Sequence, residues 1–152
     1  KHNLDKFNII KKYFKYDSSI FPVKTPLYGI PDAPRFPYYF SSETPLESNP
    51  DGDLLEIPPA TLKIPVYGNI PIAGGFHFRF LPIFLIKHGI NKLNKSGQSA
   101  MCYIHPKDLD KNMPIINSYS WHYYYNLKNA KSKFESILKN FKFCSVREMY
   151  SL

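Results

Sequence analysis

The most regular alternation of apolar and polar positions runs from Leu127 to Phe141. Leu127, Ala130, Phe134, Ile137, Leu138 and Phe141 recur at helical spacing with lysines opposite, which predicts an amphipathic helix over 127–141. Near the start, Phe7, Ile10 and Phe14, with Ile9 and Tyr13 beside them, predict a helix over 5–14 capped by Asn3 or Asp5. A short strand over 15–21 follows and ends at Pro22. Residues 54–58 and 61–66 read as short strands or extended pieces. Pro82 suits the first position of a further helix to about His88, with Gly89 ending it or interrupting it before Leu93. The uncharged run 100–104 reads as a buried strand that must stop at Pro106, which cannot continue a ladder. A last short strand is predicted over 142–146. Helices alternating with strands predict an α/β fold.

Between these elements the pattern breaks. The chain of 152 residues carries 14 prolines, all within 22–114, and 16% aromatics, which predicts long stiffened loops between short elements. Residues 22–53 are too apolar for a linker and too rich in proline for regular structure, so they read as a lid or binding surface. The polar part from 41 to 53 is the expected mobile segment. Gly74-Gly75 permits a tight turn or the close approach of another group, and lacks the spacing of a phosphate loop. The length suits one domain.

Net charge is +8, but the lysines are scattered, with no arginine cluster, so nucleic acid is not an expected partner. Cys102 and Cys144 form neither a CxxC nor a zinc-finger pattern and are expected as buried free thiols. No apolar run reaches the roughly 18 residues of a membrane span, and no signal-peptide pattern opens the chain. The compartment, cytoplasmic or envelope-associated, stays open.

Two places attract chemistry. His105 ends the predicted core strand, so it either caps the strand or acts at the edge where α/β proteins place their sites. Tyr119, Trp121, His122, Tyr123, Tyr124 and Tyr125 form a dense aromatic group. Packing is the first reading for it, and a wall on which sugar rings stack is the second.

Four segments occur in a telling order: Tyr16-Asp17-Ser18-Ser19-Ile20-Phe21-Pro22; Tyr28-Gly29-Ile30-Pro31-Asp32-Ala33-Pro34-Arg35-Phe36-Pro37; Ile70-Pro71-Ile72-Ala73-Gly74-Gly75 with Phe78-Arg79-Phe80-Leu81-Pro82; and Tyr103-Ile104-His105-Pro106-Lys107-Asp108-Leu109-Asp110. Together they resemble the C-terminal half of a polysaccharide deacetylase, of the exopolysaccharide-associated branch with an extra C-terminal region of uncharacterised function. The resemblance covers about residues 5 to 146. It implies the C-terminal part of a distorted, incomplete (β/α) barrel with a long proline-rich insertion. Helix and strand would occupy 5–22, the insertion and a helix 23–96, and the last barrel strand, aromatic loop and helix 97–152.

The resemblance also implies a divalent metal, zinc or similar, held by one Asp and two His, and hydrolysis of an N-acetyl group on a sugar polymer. His105 falls where that family's final-strand His protonates the leaving amine. Asp17 matches a strand near the active site, and Arg35 and Arg79 lie in matching motifs. With Trp121 and His122 of the aromatic group they are the candidate substrate-binding residues. His77 stands where a small or aromatic residue is more usual and is set aside. The family's metal ligands and base Asp lie in its N-terminal half. Here there is no Asp-Asp strand end, and the histidines at 2, 77, 88, 105 and 122 include no i, i+4 pair. The expectation is therefore that this chain binds no metal by itself and is inactive alone. Its partners would be a polysaccharide or oligosaccharide, and a missing N-terminal half or another subunit. The alternative is a non-catalytic relative that binds polysaccharide or a partner protein.

Overall fold

A computed structural model describes residues 6–26, 28–41 and 43–152. Its elements are α1 (Phe7–Ile10), β1 (Tyr16–Asp17), β2 (Tyr38–Phe40), β3 (Leu54–Glu56), β4 (Thr61–Ile64), β5 (Gly68–Pro71), α2 (Gly75–Phe80), α3 (Ile83–Lys95), α4 (Leu127–Asn140) and α5 (Val146–Tyr150). Two 3-10 turns, Pro106–Leu109 and Trp121–Tyr123, lie between α3 and α4.

The strands form two small sheets. In the first, β3 is central: β1 runs parallel to it, with Asp17 opposite Glu56, and β2 antiparallel, with Phe40 opposite Leu54. The second is the hairpin β4–β5. One apolar cluster joins the hairpin to the long helices through Leu62, Ile72, Phe78, Ile86, Ile90 and Ile137. The other packs Phe7, Ile20, Tyr38, Phe40 and Leu54 against the three-stranded sheet.

The helix predicted from Leu127 forms to Asn140, with Leu127, Ala130 and Ile137 buried as the spacing requires. The helix after Pro82 runs through Gly89 to Lys95. Gly89 does not interrupt it. It is buried against Ile72, whose Cδ1 would lie 2.6 Å from an added Cβ, so the glycine lets α3 approach the end of β5. Near the start, α1 is a single turn extended by the bonds Lys11 N–H to Phe7 O and Phe14 N–H to Ile10 O. The proposed caps Asn3 and Asp5 lie outside the described residues.

Three strand expectations are corrected. The strand over 15–21 shrinks to Tyr16–Asp17, because Asp17 turns its carboxylate onto Ser19 N (3.2 Å) and ends the ladder. Residues 100–104 have no strand assignment among the described residues. One bond, from Ala60 N–H to Met101 O (2.9 Å), ties them to the neighbouring segment, where Pro58 and Pro59 have no N–H to build a ladder. Residues 142–145 are irregular, and α5 begins at Val146. Ser145 and Glu148 cap α5 reciprocally, with Glu148 N–H donating to Ser145 Oγ (3.2 Å) and Ser145 N–H to Glu148 Oε2 (2.8 Å).

The segment from 41 to 53 connects β2 to β3, and several of its described residues bond to the sheet and to the end of α1. Tyr38 Oη donates to Pro45 O (2.7 Å) and Asn49 N–H to Tyr39 O (2.7 Å), while Lys11 pairs with Asp53 at 2.6 Å. Cys102 is partly buried, and burial pushes its thiol up to about 11. Cys144 is exposed, contrary to expectation, since the strand meant to bury it does not form. Both thiols are free.

Candidate functional site

His105 is exposed, follows the irregular run 100–104 and opens the turn Pro106–Leu109. It is therefore not the last residue of a strand, and Pro106 instead begins the 3-10 turn. Asp108 fixes its backbone. The Asp108 carboxylate accepts from His105 N–H at 3.3 Å, and Asp108 N–H donates to His105 O at 2.8 Å. The imidazole packs edge-on to the Tyr103 ring, 5.4 Å between centroids.

Asp108 is buried, and its other oxygen lies 3.0 Å from Nε of Arg79, also buried. The contact is one of charge rather than an aligned hydrogen bond. Arg79 uses its remaining nitrogens on the aromatic loop: Nη1 donates to Tyr125 O (2.5 Å) and Nη2 to His122 O (3.0 Å). The Arg79 carbonyl accepts from Asn126 Nδ2 (2.7 Å) and Lys133 Nζ (2.7 Å). Lys133 also reaches Leu81 O at 2.7 Å, so one ammonium satisfies carbonyls at the negative end of α2. Burial lowers the Lys133 pKa. Arg79, expected to touch substrate, is thus spent inside the protein: it ties the His105 turn to residues 122–125.

The Gly pair explains how Tyr103 fits. Gly74 has φ 72° and ψ 170°, a conformation essentially closed to other residues. An added Cβ would meet Tyr103 O at 2.4 Å. The second reading of Gly74-Gly75, close approach of another group, is what the structure contains. Tyr103 also lines an open cleft of about 830 Å³ with Ser18, Ser19, Tyr28, Pro59 and Met101. Burial raises the Tyr103 pKa, and Tyr28 and Asp108 add to it.

None of the other candidates shares a hydrogen bond, ion pair or ring contact with His105 among the described residues. Asp17 ends β1 and accepts from Ser19 N–H and Ser19 Oγ (3.0 Å). Beside it is Glu56, fully buried, with Oε1 accepting from Ile20 N–H at 2.9 Å and Oε2 without a hydrogen-bond partner. Burial, with Asp17 second, pushes the Glu56 carboxyl up to about 8. Arg35 donates to Thr61 Oγ1 (3.1 Å) and Thr61 O (2.8 Å) and fastens the proline-rich segment to β4. Burial lowers its pKa. His77 is half-buried against Phe76, and burial lowers its pKa as well. Trp121 is 64% exposed and His122 half-buried.

The sequence reading missed Asp108, Tyr103 and Glu56. Asp108 had a signal, an acid three residues after His105 across a Pro-initiated turn. Glu56 had one too, a lone charge inside Leu54-Leu55-Glu56-Ile57. Among the described residues no three His, Cys, Asp or Glu side chains gather to hold a metal ion, and no helix is long and apolar enough to cross a membrane.

A family model described as a domain of unknown function, DUF3473, matches residues 18–151. The chain belongs to the DUF3473 family. The match takes in the cleft, the His105 turn, the Arg79–Asp108 pair and the aromatic loop, so the DUF3473 domain holds every candidate residue except Asp17, one position before its start. No curated protein and no solved structure matches the chain.

Proposed function

We propose that this DUF3473 domain is the C-terminal portion of a metal-dependent polysaccharide (carbohydrate N-) deacetylase, with His105 as general acid. DUF3473 domains are found in the C-terminal region of polysaccharide deacetylases. The observation that carries the reading is the setting of His105. Its imidazole is exposed, its backbone is pinned by a buried carboxylate, and it lies two residues beyond Tyr103, which lines the open cleft.

Amide hydrolysis needs a proton on the departing nitrogen, and imidazole is the side chain best suited to hand one over near neutral pH. A fixed backbone matters because a proton donor must lie within hydrogen-bond reach of its target. In this reading the parallel pair β1–β3 and the run 100–104 complete a distorted, incomplete (β/α) barrel. The divalent metal, zinc or similar, and the base Asp belong to its N-terminal half. On the same reading this domain contributes proton delivery and glycan contact.

The test is acetate release from N-acetylated oligosaccharides by the complete gene product. His105→Ala should lower kcat by about 10²- to 10⁴-fold with bound metal unchanged. Unchanged turnover, or loss of the metal, overturns the assignment.

A further inference from the structure

The rings of Phe80, Trp121 and Tyr125 are 51%, 64% and 40% exposed, although each touches other rings. Phe76 is the hub: its centroid lies 5.4 Å from Phe80, 5.7 Å from Trp121 and 6.0 Å from Tyr125. Trp121 stands nearly perpendicular to both Phe76 (83°) and Tyr125 (85°), the edge-to-face geometry aromatic pairs prefer. The rings are held from below, since Arg79 bonds the carbonyls of His122 and Tyr125 while paired with Asp108. An exposed aromatic group on a buried ionic frame calls for a partner.

We propose that Phe80, Trp121 and Tyr125 form a stacking platform for pyranose rings of an N-acetylated glycan, a binding surface separate from the cleft that Tyr103 lines. The choice of glycan rests on the deacetylase reading. Three observations favour this occupant. The exposed set is all aromatic, which suits the C–H faces of sugar rings. The Trp121 indole N–H and Tyr125 hydroxyl have no protein hydrogen-bond partner among the described residues, so both are free to meet sugar hydroxyls. The frame is shared: Asp108 grips the His105 backbone with one oxygen and Arg79 with the other. A chain stacked on the platform would thus be held at a fixed offset from the acid.

Trp121 is the sole tryptophan, so its emission reports the platform directly. The complete chain is titrated with β-1,4- and β-1,6-linked oligomers of N-acetylglucosamine, and a saturable change in emission with at least one of them is expected. Affinity electrophoresis on the same polymers then compares variants. Trp121→Ala and Phe80→Ala, both at exposed positions, should each weaken retention by about tenfold, the weight of one aromatic contact. Tyr67→Ala, at an exposed ring in the β4–β5 turn, should leave it unchanged. No saturable response to either oligomer overturns the proposal. So does a response only to phosphatidylglycerol vesicles, or one that tracks self-association in sedimentation. If Trp121→Ala leaves retention intact while the complete product still releases acetate, the platform is wrong and the deacetylase reading stands. If retention falls but the wild-type product releases no acetate, the platform stands and the catalytic reading fails.

Discussion

Replacing Glu56 with Gln should abolish a pH dependence of stability that the wild-type domain carries. Glu56 is fully buried on β3 beside Asp17, and its folded-state pKa is raised from 4.5 to about 8, by burial first and by Asp17 second. The direction follows from proton counts. Between these two values the unfolded chain has lost the Glu56 proton and the folded chain still holds it, so folding takes up a proton and raising the pH opposes it. The stabilising contribution is intact below about pH 4.5 and is lost as pH climbs towards 8. At about 1.4 kcal/mol per pH unit, the loss is on the order of 5 kcal/mol over the whole interval and about 3 kcal/mol by pH 7. Such a loss is a large share of a typical domain's total stability of about 5–15 kcal/mol.

Gln has nearly the shape of the protonated acid and keeps an oxygen for Ile20 N–H. Its amide can also donate where Oε2 now has no partner. Urea unfolding of wild type and Glu56→Gln, followed by circular dichroism at intervals from pH 4 to 8, reads the difference. The two curves should converge at the acid end, and the variant should be more stable by about 3 kcal/mol at pH 7. Parallel pH profiles, or a variant less stable at every pH, would refute the claim that Glu56 folds as the neutral acid.

Asp108→Ala strands the buried Arg79 charge and should cost about 3–5 kcal/mol, with the Trp121 emission shifting as the loop over 122–125 loosens. A variant that melts like wild type with unchanged emission would mean the pair holds nothing. Gly74→Ala forces a Cβ against the Tyr103 backbone at a φ of 72°. It should destabilise by about 3 kcal/mol or more, measured by the same denaturation, and a loss under about 1 kcal/mol would show that Tyr103 can move away.

The sequence alone determined the elements whose signal is local. The helical repeat of α4 and the start of α3 after Pro82 follow from side-chain period and from where proline fits a helix, and each can be read in one window of sequence. His105 and the aromatic group were visible for the same reason, as unusual residues at a boundary and in a cluster. The tertiary structure decided what depends on a neighbour. Residues 100–104 have strand composition but no ladder, because Pro58 and Pro59 beside them lack N–H groups. Arg79, a candidate substrate contact by its motif, is instead the link between Asp108 and two carbonyls more than 40 residues away. Glu56, a lone acid in an apolar run, is buried because β1 and β2 flank it on both sides. Burial, charge pairing and ladder formation belong to pairs of segments, so they appear only once the chain has brought those segments together.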